Sequence, residues 1–144
     1  MMTQLLGLVA LCGTLLVAGP VGAHSAKHAV AVKALHGGQS LAAGPYHLEL
    51  VAKDGELILY VADHSDKAIP CDGAKARATI QQGYEKAKIQ VELEPSGDNT
   101  LTGTGAFTIN QDTGIMIFLK FPEQEAYAAR FTPLSQKQLS DKKG

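Results

Sequence analysis

The stretch Tyr46-His47-Leu48-Glu49-Leu50-Val51-Ala52-Lys53-Asp54-Gly55-Glu56-Leu57-Ile58-Leu59-Tyr60-Val61-Ala62-Asp63 decides the fold class of this chain. Two runs of alternating or apolar character meet at Asp54-Gly55. A type I′ turn needs positive φ at both central positions, and Asp-Gly supplies them, so the pattern predicts a β-hairpin. A two-residue turn also sets the register. Lys53 faces Glu56, Leu50 faces Leu59, Leu48 faces Val61 and His47 faces Ala62. Leu48, Leu50, Leu57, Leu59 and Val61 then share the core face, while His47 and Ala62 take the opposite face. His64 falls two residues further along that outward face.

Working outward from the hairpin, Ala74, Ala76, Ala78 and Ile80 alternate with Lys75, Arg77, Thr79 and Gln81. Ile89, Val91 and Leu93 alternate with Lys88, Gln90, Glu92 and Glu94. Each period of two predicts a half-buried strand. The cluster Pro95-Ser96-Gly97-Asp98-Asn99 reads as a turn. Beyond it, Leu101, Phe107 and Ile109 share one parity with Gly103 and Gly105 in a glycine-weakened strand. Asp112-Thr113-Gly114 turns the chain into a strand from Ile115 to Phe121, ended by Pro122, and Ala126 to Thr132 supplies the last. Ala29 to Leu35 reads equally as an eighth strand, through Val30 and Val32, or as a short helix, through its alanines. About seven short strands at regular spacing, without an amphipathic helix, predict an all-β domain: an antiparallel immunoglobulin-like β-sandwich over residues 24–134, with a flexible N-terminal lead. The polar, lysine-rich residues 135–144 read as a disordered tail.

An apolar run from Leu5 to Ala18, then Gly19, Pro20 and the small-residue junction Val21-Gly22-Ala23, reads as a signal peptide over residues 1–23, with the mature chain starting at His24. The competing reading is a retained anchor, although Pro20 and Gly22 break the run short of the ~20 residues a spanning helix needs. Export to a periplasm or secretion is therefore expected. Thirteen Lys and Arg against fourteen Asp and Glu leave the chain near neutrality. No sustained basic run exists, so nucleic acid is not expected as a partner, nor is a membrane once the signal is removed. Cleavage would leave Cys71 as the single thiol. It would then be buried, pair with another molecule or bind a ligand.

All five histidines, His24, His28, His36, His47 and His64, lie in the first part of the exported chain. Imidazole is the commonest protein ligand for borderline transition metals. Diagonal cross-strand neighbours have Cα atoms roughly 7–8 Å apart, so His47 and His64 are within reach of one ion. Asp66 and His36 are the nearest further donors in sequence. A chain starting at His24 would carry an α-amino group and an imidazole on one residue, a donor pair suited to Cu(II). The expected metal ligands are thus His24, His36, His47 and His64, and the expected cofactor is a divalent transition metal such as copper or zinc. With Met116 as the only thioether outside the signal, a Met-rich Cu(I) site is excluded.

Catalysis is not expected. Gly37-Gly38-Gln39-Ser40 fails to complete a nucleophile elbow because Ala42 stands where the second glycine belongs. No His-Glu-x-x-His motif, phosphate loop or dinucleotide fingerprint occurs.

The run His36-Gly37-Gly38-Gln39, then Gly44-Pro45-Tyr46-His47-Leu48-Glu49-Leu50, then Leu59-Tyr60-Val61-Ala62-Asp63, resembles the small N-terminal β-domain of periplasmic adaptor subunits of heavy-metal efflux systems. The likeness spans residues 34–108. A segment that in the family reads Glu-Pro-His-Ser-Phe corresponds here to Gly105-Ala106-Phe107-Thr108-Ile109, which keeps the Phe and lacks the His. The Ala68 to Thr79 stretch, with Pro70 and Gly73-Ala74, is also similar to small exported immunoglobulin-like domains of copper-associated proteins. Both resemblances imply metal handling in a cell envelope, with an efflux or metal-trafficking protein as partner. The alternative is a structural or interaction module of the envelope, whose outward face with Met116, Phe118 and Lys120 docks on a partner.

Overall fold

The computed structural model describes residues 31–84 and 87–135. The segment read as a signal peptide, His24 and His28, and the tail from residue 136 lie outside the described residues. Among the described residues nine strands follow one another: β1 (Ala31–Val32), β2 (Gln39–Ala43), β3 (Tyr46–Lys53), β4 (Glu56–Ala62), β5 (Lys75–Gln82), β6 (Ile89–Pro95), β7 (Thr100–Thr104), β8 (Thr113–Lys120) and β9 (Ala126–Phe131). Among the described residues no helix is long and apolar enough to cross a membrane.

The hairpin forms in the register that its Asp-Gly turn dictates. Lys53 faces Glu56, Leu50 faces Leu59, Leu48 faces Val61 and His47 faces Ala62. Leu48, Leu50, Leu57, Leu59 and Val61 are each no more than 1 % exposed. At roughly 1.5–3 kcal/mol per buried aliphatic side chain, this one face is a large share of the driving force for folding. Of Ala29–Leu35, legible as either strand or helix, residues 29–30 lie outside the described residues and Ala31–Val32 form the two-residue strand β1.

All strand pairings are antiparallel, and the all-β class is as expected. The two facing sheets of an immunoglobulin-like sandwich are replaced by one continuous ladder, in the order β1-β2-β3-β4-β7-β6-β5-β8-β9. The joint lies at β7. It pairs with β4 along Thr100 to Thr104 and with β6 through Glu94–Thr102 and Pro95–Leu101. A Cβ on Gly103 would stand 2.6 Å from the Glu92 carbonyl oxygen, so only glycine admits this approach of backbones. The glycine that weakens β7 as a strand is thus the corner at which the sheet turns. β7 ends at Thr104, earlier than the alternation through Ile109 suggests. The chain instead crosses the hairpin turn, with Gly55 N–H donating to the Phe107 carbonyl at 3.0 Å and Ile109 N–H to the Asp54 carboxylate at 2.8 Å.

The other end of the ladder curls back until β9 lies against β2, nearly closing eight strands into a barrel. Thr132 N–H donates to Gln39 Oε1 at 2.7 Å, and Tyr46 Oη–H to Gln124 Oε1 at 2.6 Å. Burial, with Tyr127 beside it, holds the Tyr46 phenol above its ordinary pKa, which keeps it a donor. Eight strands leave an interior that side chains can fill. Ile80, Ile115, Ile117, Leu119 and Phe131 do so with no exposed surface.

Cys71 sits inside this core, fully buried, and burial together with the neighbouring Asp72 pushes its thiol up to about 11. Thiol reagents attack the thiolate, and only where they can reach it. Iodoacetamide at pH 8 should therefore leave Cys71 unmodified in the native protein and alkylate it fully in guanidinium, as read by peptide mass mapping. Labelling at the same rate in both conditions would contradict the buried placement.

Candidate functional site

The outward face of β3 carries His47 and Glu49, and each organises a separate polar cluster. Past the end of β4 the chain doubles back within five residues. Asp63 N–H donates to the Lys67 carbonyl at 2.9 Å, and Asp66 N–H to the Asp63 carbonyl at 3.0 Å. The Asp63 carboxylate accepts the backbone N–H groups of Ser65 and Lys67 at 2.8 and 3.0 Å. Those amides, Lys67 first, hold its carboxyl below the ordinary carboxylate range. Asp66 takes φ of 60°, a region open to Asp more than to most residues. The loop so locked presents His64 and Asp66 to His47.

His47 and His64 meet as rings 4.6 Å apart at 81°. His47 Nε2 and His64 Nδ1 face each other at 2.8 Å. The two remaining nitrogens are held from outside: His47 Nδ1 by the Asp66 carboxylate at 3.1 Å, and His64 Nε2 by the Gly44 carbonyl at 2.9 Å. A carboxylate and a carbonyl only accept, so both outer nitrogens must carry their protons. Two neutral imidazoles have one proton each, and both are then committed outward. The inner nitrogens are left with lone pairs pointed at each other. Such a contact is favourable only when a cation, either a proton or a metal ion, stands between them.

The second cluster is built on Glu49, which is 5 % exposed. Its carboxylate accepts backbone N–H groups from Leu35 at 2.9 Å, His36 at 2.7 Å and Gly38 at 3.0 Å, and the His36 ring through Nδ1 at 2.8 Å. Burial works to raise its pKa, but the His36 ring and the three amides outweigh it, so the group remains a carboxylate below its ordinary value. A Cβ on Gly38 would lie 2.3 Å from the Leu50 carbonyl oxygen, which makes glycine obligatory where the 35–38 segment crosses β3. The His36 ring stacks flat on Tyr60, with centroids 3.7 Å apart. Its Nε2 has no hydrogen-bond partner among the described residues. A cleft of about 280 Å³ runs between the clusters and is lined by Lys33, His36, His47, Glu49, Tyr60 and Asp66 among others.

Of the histidines singled out from the sequence, His47 and His64 are brought into contact. His36 stands apart from them on the same cleft. His24 lies outside the described residues. Asp66, a candidate third donor by position, stands behind His47 rather than beside the inner nitrogens. Among the described residues, no group of three or more His, Cys, Asp or Glu side chains is arranged to hold one ion. The role of Glu49 was not anticipated, though a carboxylate in the middle of an apolar strand was a visible signal. Nothing in the sequence pointed to the Gly44 carbonyl.

Fold and site together define a small antiparallel domain, nearly closed, with an acceptor-flanked imidazole pair on its outer surface. Comparison with family models, with curated proteins and with solved structures finds no match for this chain.

Proposed function

We propose that this protein is an exported, non-catalytic binder of a divalent transition metal of the copper and zinc type, acting in the periplasm or after secretion, with His47 Nε2 and His64 Nδ1 as ligands. The single observation that carries this reading is the facing of these two nitrogens at 2.8 Å while both outer nitrogens are occupied by acceptors. Nitrogen ligands bind Zn(II) at about 2.0–2.1 Å, which sets two of them roughly 3.3 Å apart on a tetrahedral ion, so the pair must open by about half an ångström and both rings must turn toward a common point to admit the metal. Metal-ligating histidines characteristically donate their second N–H to a carboxylate or a backbone carbonyl, and Asp66 and Gly44 supply one of each. His36, with Nε2 free and Nδ1 held by Glu49, is the further imidazole on the same cleft. Two protein nitrogens leave coordination positions open, which suits a protein that takes up and passes on its ion. An efflux or metal-trafficking protein of the envelope is the corresponding partner.

The test begins with protein stripped by chelator and titrated with Cu(II), Zn(II), Co(II) and Ni(II), by calorimetry and by thermal unfolding. An ion at a hundred times its dissociation constant should stabilise the fold by about 2.7 kcal/mol, a shift of several degrees. Asp66→Asn should weaken binding by roughly tenfold with little change in the metal-free midpoint, since its amide oxygen can still accept from His47 Nδ1 and only the carboxylate charge behind the ring is lost. Absence of heat and of any midpoint shift with all four ions would overturn the reading.

A further inference from the structure

The outer face of β5, β8 and β9 lies on the opposite half of the ladder from the histidines and holds a different chemistry. Pairing sets Lys75, Lys120 and Ala126 abreast, then Arg77, Phe118 and Ala128, then Thr79, Met116 and Arg130. Lys75 and Lys120 are direct cross-strand neighbours of like charge, an arrangement that costs stability unless an anion lies over it. Arg77 is occupied by Glu92 at 2.6 Å, whereas Lys75, Lys120 and Arg130 have no carboxylate within 4.0 Å among the described residues. Phe118 is 47 % exposed in the middle of its strand, with a cleft of about 400 Å³ on each side. Lys75 and Lys120 line one cleft; Arg130 lines the other, with Lys88 and Met116.

We propose that this face docks an extended acidic segment of a partner protein, with one apolar side chain set against Phe118 and a carboxylate on either side of it. The spacing argues for an extended peptide. Lys120 and the Met116–Arg130 row lie four residues apart along β8, about 13 Å at 3.3 Å per residue. An extended chain puts its first, third and fifth side chains on one side over that same distance. Acid, apolar and acid at alternate positions therefore match cation, Phe118 and cation. A membrane fits less well, because a single exposed aromatic on this face, in a protein with near-equal basic and acidic totals, gives neither insertion nor long-range attraction to an anionic surface.

The probe is a fluorescein-labelled, end-capped heptapeptide of sequence Gly-Asp-Ser-Phe-Ser-Asp-Gly, followed by anisotropy against the full protein. Its counterpart with both Asp replaced by Lys is the control. Specific binding should weaken about tenfold in Phe118→Ser, the loss typical of an interface anchor. A similar loss is expected in Lys75→Glu with Lys120→Glu, and binding should weaken as salt is raised. These side chains point outward, so thermal midpoints of the variants should match the parent. Equal binding of the Lys-substituted peptide, or indifference to Phe118→Ser, would overturn the proposal. So would binding to phosphatidylglycerol vesicles with none to the peptide, or self-association through Phe118 seen by sedimentation. Metal affinity should be the same in these variants, which keeps this result separate from that of the histidine pair.

Discussion

Replacing Glu49 by Ala should lower stability by about 3 kcal/mol, the size expected when a buried, charge-assisted hydrogen-bond network loses its acceptor. For a domain of this size that is a drop in the thermal midpoint on the order of 10 °C or more. The loss has identifiable components. The backbone N–H groups of Leu35, His36 and Gly38 and the ring of His36 would lose their common partner, and the 35–38 segment would no longer be fixed across β3. Glu49→Gln should fall between, since its amide offers one acceptor oxygen where the carboxylate offers two. The pH dependence has a definite sign. The folded-state pKa lies below the ordinary glutamate value of 4.5, so the contribution of this carboxylate is fully present above that pH. It is lost as pH falls through the depressed folded value. Thermal unfolding of parent and Gln variant from pH 7 to pH 3 should show a gap that is constant down to about 4.5 and narrows below it. A gap that stays constant throughout would assign the stabilisation to shape rather than charge.

How much of this was readable in the sequence depends on whether the information is local. The β3–β4 register was readable because Asp54-Gly55 permits few turn geometries and because a slip of one residue would expose five core side chains together. The strand β2 was not, since Gln39-Ser-Leu-Ala-Ala43 has no strong strand former besides Leu41. It is a strand because Gly44-Pro45 turns it onto β3. The choice between sandwich and nearly closed barrel was illegible for a deeper reason. Both bury alternate residues of the same strands, and they differ only in whether β7 is shared between its neighbours. Two residue pairs and the missing side chain of Gly103 decide it, and neither leaves a periodic trace. The candidate site divides the same way. Alternation put His47 on the outward face, and the hairpin brought His64 near it. The direction of Asp66 required the tight 63–67 loop, in which hydrogen bonds to the Asp63 carboxylate and a positive φ reverse the chain.

The second large effect concerns the histidine pair. His47→Ala and His64→Ala should each weaken Cu(II) or Zn(II) binding by at least about a hundredfold, close to 2.7 kcal/mol. The double variant should be scarcely worse than either single one, because either substitution already removes one of the two facing nitrogens that grip the ion together, and residues that act as a unit are not additive. Acidification should weaken the parent further. Both outer nitrogens hold their protons toward Asp66 and Gly44, so the space between the inner nitrogens admits either a third proton or a metal ion, and the two compete for it. An ion that enters this space displaces any proton shared there. Calorimetry at one pH in two buffers of different ionisation enthalpy should report that release, and it should vanish in both single variants. Metal binding that persists in the double variant with unchanged affinity and proton release would place the ion elsewhere on the chain. The facing nitrogens would then be a shared-proton contact that locks the 63–67 loop onto β3.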